Sequence, residues 1–196
     1  MRILFLSFLL LPPGAAQIVC TLGTGASSYK PGSDQRPSTD ALELAARVNA
    51  AVRTICSDHC PTMALFRNAT APNAMLIAGA AQAKLVYAPQ FFAAVYGGFG
   101  DNGILAIIAH LIGHALDDTL GAAWVKSSWS PELRADGWAG CVLARIDLRP
   151  AGLDPSLAAL SKYPAAAHPA WNLRLPVLRT GYTQCGGDGS KFGKAK

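Results

Sequence analysis

Two histidines, His110 and His114, lie four residues apart in an apolar segment and are the first side chains that could do chemistry. On a helix this spacing places both imidazoles on one face, about 6 Å apart along the axis. Such a pair can supply two ligands of a catalytic zinc ion, and a third protein ligand must then come from another element. Two hydrogen-bonded core histidines are the alternative interpretation of this pair taken alone.

Two carboxylates further along the chain, Glu132 and Asp136, can complete such a site. Asp118 also continues the histidine face, but about 12 Å of helix separates it from His110, too far for one ion with bonds near 2 Å. Glu132 begins the next predicted helix and is the better third ligand, which leaves a fourth position for water. Asp136, one turn later, is placed to accept the free ring N–H of a ligating histidine.

Three segments, in this order, resemble the gluzincin zinc metallopeptidases of the HtpX-like group, whose pattern is HExxH, ExxxD and HPxxxxR. They are Ile107–Leu116, Glu132–Gly140 and His168–Arg174. Each segment alone is a weak signal, and their combination and order are specific. The lead-in and the tail lie outside the resemblance.

The resemblance implies a role for each matching residue. Three of them are expected to bind zinc, namely His110, His114 and Glu132. Asp136 is expected not to bind the metal itself but to accept a hydrogen bond from a metal-ligating histidine. His168 is expected near the developing oxyanion of the reaction, and Arg174 to pair with an acidic residue such as Asp136. The implied substrate class is a peptide or protein.

Leu111 departs from the family pattern at the residue that does the proton transfer. A glutamate belongs there, and it takes a proton from zinc-bound water. Losing a general base costs roughly 10²- to 10⁴-fold in rate. The sequence therefore predicts a zinc-binding pseudopeptidase with impaired catalysis. An active zinc-dependent endopeptidase and a metal-free structural or interaction module are the alternatives.

The elements around these residues predict an α+β, zincin-like fold. A central buried metal-site helix over 102–120 is expected to pack on a second helix over about 131–146. A first helix follows Asp40, and a short helix over 89–96 is expected to end at the next two glycines. Three short apolar runs predict a small antiparallel sheet, at 62–66, 74–78 and 84–88.

The first 16 residues have the pattern of a secretory signal peptide, with one positive charge, a short apolar run and small residues before a cleavage site after Ala16. The remaining chain is predicted to comprise a flexible lead-in (17–38), a metallopeptidase-like domain (39–185) and a disordered tail (186–196). We expect the protein to be periplasmic or secreted.

Five cysteines are an odd set for an exported chain, so at least one lacks an intramolecular partner. Cys56 and Cys60 are expected to form a disulfide within a turn. Lipid anchoring at Cys20 is less favoured, because Val19 is not the small residue expected before a lipidated cysteine.

The composition excludes several classes of protein. The 196 residues are 51% hydrophobic and 15% charged, with a net charge of +5. Such apolar content is incompatible with general disorder. The basic residues form no block interleaved with aromatics, so we expect no nucleic-acid partner. Beyond the N-terminus the apolar stretches are interrupted, so no membrane span is expected after signal removal.

Overall fold

The computed structural model of the chain describes residues 18–22, 28–56, 59–79, 82–146, 148 and 152–192. Within these ranges the fold is α+β, as predicted. The helices are α1 (Thr39–Cys56), α2 (Pro89–Thr119), α3 (Pro131–Arg145), α4 (Leu153–Lys162) and α5 (Trp171–Gln184). The strands are β1 (Ile18–Leu22), β2 (Thr62–Arg67), β3 (Ala74–Ile77) and β4 (Gln82–Tyr87). The predicted signal peptide lies outside the described residues.

The sheet is mixed, so the prediction of a purely antiparallel sheet is wrong. Its strand order is β1-β3-β4-β2. β3 and β4 form an antiparallel pair, but β4 also runs parallel to β2, with Leu65 opposite Leu85. Because β4 lies between β2 and β3, these two consecutive strands are not neighbours. Apolar run lengths predicted the strands but carry no information about which edges pair.

β1 is a strand inside the segment that was predicted to be a flexible lead-in. It pairs antiparallel with β3, with Cys20 opposite Leu76, and Leu22 forms a further bridge to Ala165. The lead-in also contacts the sheet near Gln35, which bridges Arg67. The composition of this segment favours loops, but the available edge of β3 determines its conformation.

α2 is the central helix and is buried along most of its second half. It packs against α3, α4, α1 and the sheet. Its backbone departs from helical geometry at Gly100, with φ 61°, a conformation that glycine adopts without strain. The predicted break between two helices therefore exists, but it lies after the glycine pair rather than at it. Among the described helices only α2 is long and apolar enough to cross a membrane, and half of its most apolar window is buried in the fold.

α3 and α5 pack against each other at very short range. Ser130 caps α3 by accepting a hydrogen bond from the backbone N–H of Leu133 at 3.3 Å. A Cβ atom at Gly140 would lie 2.0 Å from the Leu178 carbonyl oxygen, and one at Gly181 would lie 1.7 Å from the Gly137 carbonyl oxygen. Glycine at these positions allows the two helices to approach closely.

Two disulfides link four of the five cysteines, all of which lie in described residues. Cys56–Cys60 is the predicted bridge, and Cys141–Cys185 ties α3 to the end of α5. Disulfides are typical of proteins that fold in an oxidising compartment.

The C-terminal segment is more ordered than predicted. Residues Gly189–Lys191 form a turn of 3-10 helix, and the Phe192 ring packs against Tyr182 with 5.2 Å between ring centroids. Residues 193–196 of the predicted tail lie outside the described residues.

Candidate metal centre

Four side chains from three elements converge at the centre of the fold, and we call them the ligand cluster: Cys20, His110, His114 and Glu132. One ligand atom from each lies within 4.8 Å of the others. α2 supplies both histidines, α3 supplies the glutamate and β1 supplies the cysteine. All four residues are buried, with exposed fractions of 3, 0, 5 and 9% in chain order.

The orientation of His110 is fixed from behind by Asp136 and Arg174. His110 Nδ1 donates to Asp136 Oδ1 at 3.0 Å. Arg174 donates to both oxygens of the same carboxylate, from Nε at 2.7 Å and from Nη2 at 2.9 Å. Because Nδ1 carries the donated proton, neutral His110 presents the lone pair of Nε2 to the cluster. The structure thus places Asp136 and Arg174 behind a histidine, as the sequence resemblance implied.

Glu132 lies between the two histidines of α2. Its Oε2 is 3.3 Å from His110 Nε2 and 3.4 Å from His114 Nε2. These atoms are buried, yet neither Glu132 Oε2 nor His114 Nε2 has a partner with the directional geometry of a hydrogen bond. Two ligands about 2.0–2.1 Å from one tetrahedral ion lie about 3.3 Å apart. The separations and the unpartnered atoms therefore fit a shared cation.

His168 approaches the cluster from the segment between α4 and α5. Its Nδ1 accepts a hydrogen bond from the backbone N–H of Ala165 at 2.7 Å, so its Nε2 carries the proton in the neutral ring. That Nε2 lies 2.6 Å from Glu132 Oε2 and 3.0 Å from His110 Nε2. In this tautomer His168 faces the cluster with a donor and offers no lone pair to a metal.

Cys20 is the member of the cluster that sequence reasoning missed. Its Sγ lies 4.0 Å from His110 Nε2, and it is the only cysteine outside a disulfide among the described residues. The odd cysteine count signalled an unpaired thiol but not which cysteine it was. Because the thiol is buried here, lipid attachment at Cys20 is incompatible with this arrangement.

The pKa of each residue in the ligand cluster is shifted towards its charged form. Burial opposes ionisation of Glu132, but contacts with His110, His114 and His168 outweigh it and hold its pKa far below the usual range. Burial likewise opposes charge on His110, yet Asp136, Cys20 and Glu132 raise its pKa well above the usual value.

The pKa values of the other buried groups are also set by burial on one side and by contacts with charged or hydrogen-bonding neighbours on the other. Despite burial, Arg174 and His110 lower the pKa of Asp136, and the two histidines of α2 lower the pKa of the Cys20 thiol. The pKa of His114 is raised by Cys20 and Glu132 against its burial. Burial is the largest influence on His168 and lowers its pKa, so this ring is neutral near pH 7.

Leu111 occupies the position next to the first ligand and is fully buried in the main hydrophobic core. Two other carboxylates on α2 are nearby in sequence. Asp117 accepts a hydrogen bond from Arg134 Nε at 2.6 Å, and Asp118 is exposed at the end of the helix. Neither belongs to the ligand cluster.

The fold and the cluster define an α+β protein with a buried group of His, Glu and Cys side chains able to hold a metal ion. Comparisons with protein-family models, curated proteins and solved structures found no match for this chain. The assignment of a function therefore depends on the geometry and chemistry of the cluster.

Proposed function

We propose that this chain is an exported zinc-binding protein, built like a zinc metallopeptidase, in which peptide hydrolysis is impaired. The observation that carries the proposal is a near-complete ligand set with leucine at the position of the general base. His110, His114 and Glu132 converge at separations suited to one ion, while Leu111 is buried in apolar core.

The donor atoms favour zinc over harder cations. Two imidazole nitrogens, a carboxylate oxygen and a nearby thiol suit zinc, whereas Mg²⁺ and Ca²⁺ prefer all-oxygen sites. Bound zinc would supply Lewis acidity, polarising a water or a carbonyl oxygen. The chain's own part is to hold the ligands in place. Asp136 accepts the Nδ1 proton of His110 and is itself held by Arg174, so together they fix the His110 ring.

Proton transfer is the step for which this chain lacks a group. Leu111 can neither accept nor donate a proton, and the nearest alternative carboxylates on α2 are paired or exposed. His168 has no free lone pair with which to act as a base, because its Nδ1 accepts the Ala165 N–H and its Nε2 carries the proton. The expected loss is roughly 10²- to 10⁴-fold in rate relative to an enzyme with the glutamate.

Burial of the ligands also limits access by substrate. Glu132 is the most exposed member of the cluster at 9%. This burial disfavours rapid turnover, and the proposal of a peptide or protein ligand rests on the sequence resemblance alone. The two disulfides support residence in an oxidising compartment, which we take to be the periplasm or the extracellular space.

The experiment measures zinc by elemental analysis in the purified, disulfide-intact protein, and then casein and peptide hydrolysis by the zinc-loaded protein. We expect close to one zinc per chain, a clear loss in His114→Ala, and no chelator-sensitive hydrolysis above background. His59→Ala is the matched control, since His59 is an exposed histidine outside the cluster. Absence of zinc after incubation at neutral pH would overturn the metal site. Turnover that requires both zinc and His114 would overturn the impairment.

A further inference from the structure

The N-terminal strand delivers a thiol to the ligand cluster, and its position suggests a role beyond filling the core. We infer that Cys20 binds the metal as a thiolate, closing the site with a fourth protein ligand and fastening β1 to the fold. This inference rests on the proposed zinc binding and concerns the same site. It makes the centre a closed, four-coordinate site rather than one with a position for water.

The distance from Cys20 to His110 is close to the separation between two ligands of one metal ion. A sulfur and a nitrogen bound to one tetrahedral zinc, with bonds of about 2.3 and 2.0 Å, lie about 3.5 Å apart. Cys20 Sγ is 4.0 Å from His110 Nε2, so a shift of about half an ångström brings it to that separation. The Nε2 atom of buried His114 has no hydrogen-bond partner, so its lone pair is available to the same cation.

The strand geometry directs Cys20 inwards. Cys20 and Leu22 are two residues apart, so both side chains point to the same face of the sheet, and both are buried. β1 lies between β3 on one side and Ala165 on the other. Ala165 also donates its backbone N–H to His168, so the same short segment contacts β1 and orients a cluster residue.

Coordination by Cys20 requires only the exchange of a proton for a metal bond. The thiol loses its proton to solvent, a sulfur–metal bond forms, and nothing is oxidised or reduced. The strand is then held by pairing with β3, by the bridge at Leu22 and by the metal bond. Loss of the ion removes the last of these and frees the thiol.

A closed site accounts for Leu111 as well. With four protein ligands there is no metal-bound water, and a general base beside the metal has nothing to deprotonate. If Cys20 fills the fourth position, leucine at position 111 is consistent with a metal that stabilises structure. The competing interpretation is that Cys20 is an ordinary buried cysteine, since free cysteine is among the most buried residue types.

The test replaces zinc by Co²⁺ in the full chain with both disulfides intact. A thiolate ligand gives a sulfur-to-cobalt charge-transfer band in the near ultraviolet, and we expect it in the wild type. Cys20→Ser should lose the band and bind Co²⁺ more weakly, by more than the roughly 10- to 100-fold typical of losing an outer-shell partner. Ile18→Ser is the control, because Ile18 is on the same strand but 43% exposed, and it should keep the band.

Alkylation provides a second readout that does not depend on spectra. Cys20 is the one cysteine that can react, since the other four are in disulfides. We expect iodoacetamide to label it slowly in the zinc-loaded protein and at least tenfold faster after chelation. Bound Co²⁺ without a charge-transfer band, or labelling rates unaffected by metal, would overturn the inference while leaving zinc binding intact. A chain that binds no metal at all overturns the proposed function itself.

Discussion

The ion pair behind His110 predicts that Asp136→Asn is severely destabilising. Asp136 is 0% exposed and Arg174 is 1% exposed, and two hydrogen bonds of 2.7 and 2.9 Å join them. Asparagine has nearly the same shape, but it is neutral and its amide nitrogen is a donor. The variant therefore leaves a buried guanidinium without a counter-charge and sets donor against donor. Breaking such a pair from one side costs about 3–5 kcal/mol.

The chain offers a matched control in a second Asp–Arg pair. Asp117 accepts a hydrogen bond from Arg134 Nε at 2.6 Å, also between α2 and α3, but the two side chains are 13% and 29% exposed. Solvent screens this pair, so we expect Asp117→Asn to cost no more than about 1 kcal/mol. The substitution is chemically identical at both positions, which differ in burial and in the number of hydrogen bonds that the carboxylate accepts.

Urea unfolding of both variants, metal-free and with disulfides intact, measures the two costs. Competition with a chromophoric chelator measures zinc affinity, which should fall roughly 10- to 100-fold in Asp136→Asn because His110 loses the acceptor that orients it. Asp117→Asn should leave the affinity unchanged. Unfolding of Asp136→Asn at the same urea concentration as Asp117→Asn would contradict the expected cost of the unpaired, buried Arg174.

Three further variants test other parts of the fold. Gly181→Ala places a Cβ 1.7 Å from a backbone oxygen and should lower the free energy of unfolding by about 1–3 kcal/mol or more. Gly97→Ala is the control, because its Cβ would meet nothing within 4 Å, and it should not lower stability. Thermal melts compare the two variants. Asn68→Ala removes donors to the Lys30 carbonyl and to Asp34, so urea unfolding should show a loss of about 1–3 kcal/mol.

The third variant concerns pH. The pKa of Asp34 is lowered in the fold, since contacts with Asn68, Lys84 and Tyr29 outweigh its burial. Its contribution is present above its ordinary pKa of 3.8 and is lost as the pH falls through the lower folded value. Stability measured from neutral to acid pH should fall less steeply in Asp34→Asn, and equal slopes would contradict this.

Periodicity predicted the elements of the fold better than their partners. α2 was identifiable because apolar residues occupy nearly every position of its second half, and α3 because Ser130 and Pro131 mark its start. The pairing of β4 with β2, and of β1 with β3, depends on edges that come together only after the helices pack. The glycine- and serine-rich sequence that follows β1 gives no local sign that β1 will pair with β3.

In the candidate metal site too, local sequence patterns predicted some residues, while others are brought in only by long-range contacts. His110 and His114 are close because helical spacing puts them on one face, and Glu132 is a plausible partner because it opens the next helix. Cys20 is 90 residues from His110 in sequence, and no local pattern connects them. The odd cysteine indicated an unpaired thiol, but only the register of β1 against β3 places it at the cluster.

Leu111 and Cys20 together determine what restoring hydrolysis would require. If the thiolate fills the fourth position, Leu111→Glu alone supplies a base but no metal-bound water, and it should stay inactive. Cys20→Ser alone opens the position but lacks the base. We expect chelator-sensitive peptide cleavage only in the double variant, compared with a Leu111→Met/Cys20→Ser control of similar volume. Zinc content and circular dichroism must accompany each assay, because a glutamate at this fully buried position is costly. Cleavage by Leu111→Glu alone would show that Cys20 leaves the metal open to water.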